Sequence, residues 1–244
     1  MPILGLGLGL DYNQLRKSII QELKEAGAVL ALLSNKADGS APLTGNNSPW
    51  VDLSGNNNDG TLTNFAGTGT SGWQASPPIL RFDGVDDFVA FADTASLDIT
   101  TAPYAHFFTF KKNDVAAGYV YQDNSLASES LRIEIDNLIR WRFTGNDITL
   151  PSPLVTSEFL NIGVFMKTDT TGDFYVDCVK VLSDIAVNNM AGWVRGIKAL
   201  GGRTTGSGYV NIDVGTHTIY TGSDIQKILD VEAKISAPYL ALNP

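Results

Sequence analysis

Leu160-Asn-Ile-Gly-Val-Phe-Met-Lys-Thr-Asp-Thr-Thr-Gly-Asp-Phe-Tyr-Val-Asp-Cys-Val-Lys-Val181 reads as two runs rich in β-branched and aromatic residues around a turn. Leu160–Lys167 and Asp173–Val181 are the strands, and Asp169-Thr170-Thr171-Gly172 between them is a hairpin signal. The same pattern extends on both sides. Leu131, Ile133 and Ile135 alternate with Arg132, Glu134 and Asp136, the period of a half-buried strand, and Asp136-Asn137 turns into a second strand over Leu138–Phe143. Ile79–Asp83 and Asp87–Phe91 flank Gly84-Val85-Asp86. Tyr104–Phe110, Tyr119–Gln122, Trp193–Leu200 and Tyr209–Tyr220 complete the series. Short strands recurring with turns between them predict an all-β sandwich or jelly roll.

The chain's 244 residues are 43% apolar, enough to fill a sizeable core. Its 26 Asp and Glu outnumber 17 Lys and Arg, giving a formal charge of −9; such a chain has no long-range attraction for phosphate backbones, which argues against nucleic-acid binding. A single cysteine, Cys178, forms no internal disulfide. Met1–Leu10 is apolar without a basic start, and no apolar run approaches the roughly 20 residues that span a bilayer. The expectation is a protein made in the cytoplasm, with no membrane insertion.

Around the β series lie three other stretches. Residues 1–10 alternate Leu or Ile with Gly, which suits an arm that adds to another chain's sheet and equally a loose terminal tail. Residues 11–33 predict a helix, with Asp11 as N-cap and Tyr12, Leu15, Ile19, Ile20, Leu23 and Ala26 at helical spacing; Gly27 ends its first stretch and the apolar run Ala28–Leu33 follows. Its stripe needs a cover, either the sandwich itself or a neighbouring molecule, and the neighbour is slightly favoured because the β region looks self-sufficient. Residues 34–80 are dense in Asn, Asp, Gly and Ser, pinned to a core by Trp50, Leu53, Leu62, Phe65, Trp73 and Leu80. A short helix from Ser223 to about Ile235 closes the chain, with Pro238 beyond its end. The expected organisation is an N-terminal arm and helix over residues 1–40 and a β domain over 41–244.

Two motifs carry a family resemblance. Val51-Asp-Leu-Ser-Gly-Asn-Asn-Asn-Asp-Gly-Thr-Leu62, followed by Trp73 and Leu80-Arg-Phe-Asp-Gly-Val-Asp-Asp-Phe-Val89, resembles the opening of laminin-G-like domains of the concanavalin A-like lectin/glucanase superfamily. Asp173–Val181 is similar to that family's hairpin, with Cys178 where Gly is usual. Ile212–Tyr220 and Ser223-Asp-Ile-Gln226 resemble its last strand and closing turn. Glu158-Phe-Leu-Asn-Ile-Gly-Val-Phe165 departs from the family strand, with Phe159 in place of Trp and no His. The resemblance covers about residues 45–232 and implies a two-sheet antiparallel jelly roll.

Retaining glycosidases need two carboxylates about 5–5.5 Å apart. Glu134 and Asp136 share a strand face, but the second Glu of the glucanase pattern falls on Leu138 or Ile139. His106 and His217 lie in strands, where packing is the simpler role, and Cys178 reads as a small apolar residue in mid-strand. The chain is therefore expected to be non-catalytic, with no cofactor apart from a structural calcium that the resemblance implies. Asp52, Asn57 and Asp59 in one loop, and Asp83 and Asp87 in another, are the candidate ligands, against the alternative that they simply make turns. Trp141, between Arg140 and Arg142, is the candidate sugar platform. Leu4, Leu6, Leu8, Tyr12, Leu15, Ile19 and Leu23 are the candidate attachment or oligomer contacts.

Laminin-G-like domains with a short N-terminal anchoring segment and no secretory signal look like those on tailed-bacteriophage particles. The expected function is thus a structural virion protein, on capsid, neck or tail, with other virion proteins and copies of itself as partners and a cell-surface glycan as a further ligand. A free carbohydrate-binding lectin is the alternative, and a glycoside hydrolase a more distant one.

Overall fold

The computed structural model describes residues 12–34, 45, 47–114, 117–123, 129–133, 138–143, 146–150, 157–189, 197–202 and 208–243. Two antiparallel sheets face each other. The front sheet runs β14 (Val179–Ala186), β13 (Thr171–Val176), β12 (Phe159–Thr168), β7 (Tyr104–Lys112), β16 (Asn211–Tyr220), β5 (Pro78–Asp83) and β4 (Gly72–Ala75), and β1 (Ala28–Leu33) also pairs with β16. The back sheet runs β11 (Asn146–Thr149), β10 (Ile139–Phe143), β9 (Glu129–Ile133), β8 (Gly118–Asp123), β15 (Ile197–Leu200), β6 (Phe88–Phe91), β3 (Gly60–Thr63) and β2 (Pro49–Trp50). The all-β sandwich expected from the alternation, and the two-sheet jelly roll that the resemblance implies, are what the chain forms.

Inward-facing residues explain the pairing. Phe108 and Phe110 of β7, Ile162 and Val164 of β12, and Ile212, Val214 and Ile219 of β16 meet Val89, Tyr121, Trp141 and Phe143 from the back sheet in one buried cluster. Both histidines lie in this core. His217 stacks on Phe108 with ring centroids 4.2 Å apart, and His106 meets Tyr104 and Tyr121 edge-on. Burial, with His106 beside it, holds His217 well below the usual histidine range, so it sits neutral among the aromatic rings.

The front sheet is apolar on its outer face too. Ala105 and Phe107, Phe165, Tyr175 and Tyr220 form a second cluster there with Leu23, Ile228, Val231 and Ile235. Two helices supply the cover, α1 (Tyr12–Glu25) and α2 (Ile225–Leu240). This corrects the expectation that the first helix docks to another molecule. Leu23 is fully buried and Ile19 packs on the same cluster, so both meet this chain's own sheet. The helices are tied to each other by Lys234–Glu22 at 2.6 Å. Tyr12 and Leu15 lie on α1, while Leu4, Leu6 and Leu8 of the expected arm fall outside the described residues.

The predicted helix over 11–33 is also shorter than read. It stops at Glu25, and Gly27, at φ 82°, turns the chain into β1. A Cβ on Gly27 would lie 2.9 Å from the backbone nitrogen of Gly222, so this close crossing needs glycine. Ala28–Leu33 is buried at nearly every position and pairs with Thr216–Tyr220. A boundary at residue 40 therefore leaves a strand of the sandwich on its N-terminal side. Asp173–Val181 likewise divides: Asp177 and Cys178, at φ 49° and 62°, form the two-residue turn between β13 and β14, so Cys178 is not in mid-strand. The closing helix begins at Ile225, capped by the Asp224 side chain rather than by Ser223, and continues through Pro238 to Leu240.

Candidate functional site

The two loops expected to hold calcium do different things. Asp52 is buried and saturated: one carboxylate oxygen accepts from the Ala31 and Ser54 backbone N–H groups at 2.8 and 2.9 Å, the other from the Ser54 hydroxyl at 2.7 Å and the Asn58 N–H at 3.0 Å. Asp59 accepts from the Asp52 N–H at 2.8 Å, and Asn57 is an exposed left-handed turn residue at φ 59°. These residues fasten β1 to the loop after β2 and do not fit a metal. In the second loop Asp83, Asp86 and Asp87 bring carboxylate oxygens within 4.8 Å of one another. Asp87, however, is buried and accepts from the Ser71 hydroxyl at 2.9 Å and the Asp83 N–H at 2.8 Å, and burial pushes it up to about 6. Asp83 accepts from the Val85 N–H at 2.8 Å. That donor set falls short of the six to eight oxygens calcium takes.

The expected sugar platform is also corrected. Trp141 is fully buried, parallel to Phe143 and edge-on to Phe174. Arg140 and Arg142 point away from it because neighbours on a strand face opposite ways, and Arg142 is held bidentately by Asp147 at 2.7 and 3.0 Å. Glu134, Asp136 and Trp193 lie outside the described residues.

Two polar arrangements that the sequence did not single out occupy the outer face of the front sheet. Beneath α2, fully buried Glu232 accepts from the Thr218 and Tyr220 hydroxyls at 2.5 and 2.6 Å and from the Asn161 side-chain amide at 3.1 Å. Asn161 also reaches the Thr109 hydroxyl, which takes one more bond from Thr216. Burial raises Glu232 despite these three donors, and burial also pushes the nearby Cys178 thiol up to about 12, with Glu232 and Asp177 adding to it. A thiol held protonated this way is a poor nucleophile.

Beyond the end of α2, where Tyr239 packs on Ile79 and Phe159, the same face is half-open among the described residues, with Arg81 and Lys111 partly exposed. Arg81 of β5, Asp213 of β16 and Lys111 of β7 stand directly across from one another in register. Buried Asp213 takes Arg81 Nε and Nη2 at 2.7 and 2.9 Å, Lys111 Nζ at 3.1 Å and Asn113 Nδ2 at 3.0 Å. Burial alone would raise the Asp213 carboxyl, but Arg81, Asn113 and Lys111 hold it below the usual carboxylate range. Above this floor is a cleft of about 450 Å³ lined by Gly69, Thr70, Arg81, Asp83, Asn113 and Asn211. The signal for it was present in two quoted motifs: alternation puts Arg81 and Asp83, and Asn211 and Asp213, on one face. A second hollow of about 360 Å³, between the 95–103 loop and Val29 and Thr221, carries one ionisable group, Asp98.

No family model matches the chain, and no curated protein matches it. Solved structures do. Trypanosoma rangeli sialidase in complex with sialic acid matches with a TM-score of 0.58 and 16% identity over 91% of this chain and 39% of that one. The structure reporting that cell entry of botulinum neurotoxin type C is dependent upon interaction with two ganglioside molecules matches with a TM-score of 0.60 and 11% identity, over 88% of this chain and 53% of that one. The chain thus spans about two-fifths to one half of these proteins. At such identity the likeness shows the fold alone, a two-sheet jelly-roll β-sandwich.

The expectation of a non-catalytic chain is overturned by the same finding. It rested on a missing second carboxylate and on packing roles for His106, His217 and Cys178, yet the neighbours include sialidases, which are enzymes. The carboxylate count therefore does not decide whether this sandwich belongs to an enzyme.

Proposed function

We propose that this chain is a glycan-binding β-sandwich, and that it is displayed on the particle of a tailed bacteriophage. The observation that carries the binding reading is the open cleft over Arg81, Asp213 and Lys111. It is concave and polar, lined from β5 and β16, from Asn113 just after β7 and from the 69–70 loop, and among the described residues no helix covers it as α1 and α2 cover the rest of that sheet face. Neighbours solved with sialic acid, or reported to depend on gangliosides, support the choice of glycans as the ligand class. Display on a particle, with other virion proteins and copies of the chain as partners, is supported by the laminin-G-like motifs and by the alternating Leu and Gly of residues 1–10.

The test of binding is a glycan array probed with the full chain; specific retention of any glycan class is expected, and a blank array sinks the reading. For display, the full chain and a form lacking residues 1–11 are sedimented with phage particles. Co-sedimentation of the full chain alone is expected. A form cut at residue 12 is the right comparison because a cut at 41 removes β1 from the sheet. Glycan binding by both forms with no sedimentation of either favours a free lectin.

A further inference from the structure

We infer that the cleft over Arg81 and Asp213 takes an uncharged saccharide and discriminates against acidic ones, an inference that rests on the glycan-binding reading. Among the described residues the cations at this end of the sheet, Arg81 and Lys111, are already committed. Asp213 closes the Nε–Nη2 edge of Arg81, the edge that would otherwise fork onto a sugar carboxylate, and Nη1 donates to the Gly69 carbonyl at 3.0 Å. Lys111 is drawn to the same carboxylate at 3.1 Å. At the rim stands Asp83, with the exposed Asp86 carboxylate close to it, while Asp87 is buried behind them. An incoming carboxylate therefore meets like charge at the mouth and a floor whose positive groups are spent.

What the cleft still offers is a mixture of donors and acceptors. Asn113 gives its amide N–H to Asn211 Oδ1 at 3.2 Å and to Asp213 at 3.0 Å. That arrangement leaves Asn113 Oδ1 as an acceptor and Asn211 Nδ2 as a donor, with one oxygen of Asp83 and the exposed Thr70 hydroxyl beside them. A sugar hydroxyl both donates and accepts, so adjacent ring hydroxyls can satisfy this set together. The volume, about 450 Å³, falls within the roughly 300–1,000 Å³ of small-ligand sites.

The experiment uses the full chain on an array of galactose-, glucose- and mannose-terminated oligosaccharides, each paired with its sialylated form. Calorimetric titration of the tightest uncharged oligosaccharide then compares the parent with Asn211→Ala and Gly69→Trp. A Cβ at Gly69 meets nothing within 4 Å, so a side chain can start from this lining position without a clash, and tryptophan there is the bulky substitution that narrows the mouth. The expected result is binding of uncharged forms, sialylated partners weaker by about tenfold or more, and a loss of at least about tenfold in each variant, with unfolding midpoints unchanged. Sialylated forms bound as tightly as their parents would overturn the inference and leave the glycan-binding reading standing. Unchanged affinity in both variants would remove the cleft as the site. A blank array defeats the glycan-binding reading and this inference with it. Should Gly69→Trp fail to fold, Asn211→Ala still decides the matter.

Discussion

The outer face of the front sheet is one surface with two treatments. Under α2, the polar groups of β7, β12 and β16 are dry and closed on Glu232, which receives Thr218, Tyr220 and Asn161. Past Tyr239, groups of β5, β7 and β16 converge on Asp213 but stay in contact with water, and Asn113, Asn211 and Asp83 keep hydrogen-bonding capacity to spare. The covered end holds a buried acid with no cation; the open end holds one neutralised by Arg81 and Lys111. One network fixes a helix, and the other can exchange its unused bonds with a ligand. What separates them is only how far α2 reaches.

The largest expected effect lies at the covered end. A form starting at residue 41 loses β1, baring the β16 edge at Thr216–Tyr220 and the apolar face beneath α1, and it should aggregate or melt without cooperativity in circular dichroism and light scattering. A form lacking only residues 1–11 should melt like the parent. Next, Glu232→Ala leaves two hydroxyls and an amide buried without their acceptor and should cost about 3 kcal/mol in urea unfolding. Arg81→Ala at the open end should cost less, about 1 kcal/mol, because Asp213 keeps Lys111 and Asn113 and water reaches the site. Equal losses for the two substitutions would erase the contrast.

Acid should move the two kinds of carboxyl in opposite directions. Glu232 is raised in the folded state, and Asp87 is raised to about 6, so the stability linked to each is fully present below its unfolded value and is lost as pH rises through its folded value. Asp213 is lowered, so its contribution is present above the ordinary Asp range and is lost as pH falls through its depressed value. Unfolding midpoints should therefore rise from pH 7 to pH 5 and drop again below about 4. Glu232→Gln should flatten the first limb and Arg81→Ala the second. The smallest effect is Gly69→Trp, expected within about 0.5 kcal/mol of the parent in the same assay.

Much of the sandwich could be read from alternation, and the failures have physical causes. Ala28–Leu33 is buried on both faces between α1, the core and β16, so it shows an unbroken apolar run that helix and strand share. Trp141 was misplaced by its charged neighbours, although strand alternation that sends Arg140 and Arg142 outward must send the residue between them inward. The Asp52 loop has the composition of a calcium loop because satisfying backbone N–H groups and binding a cation call for the same oxygens. The Glu232 network and the cleft draw on residues far apart in the chain, and only pairing of β16 with β5 and β7, and of β7 with β12, assembles them.

That pairing also sets an order in time. β16 offers a single edge to two strands, β5 along Asn211–Val214 and β1 along Thr216–Tyr220, with Gly215 accepting from the Ser34 N–H at the joint. During synthesis on a ribosome, the apolar segment Ala28–Leu33 emerges long before its partner Thr216–Tyr220. Throughout that interval this segment has no mate. It is seated only once β16 is made, and a chain interrupted between the two exposes a sticky edge that pairing hides.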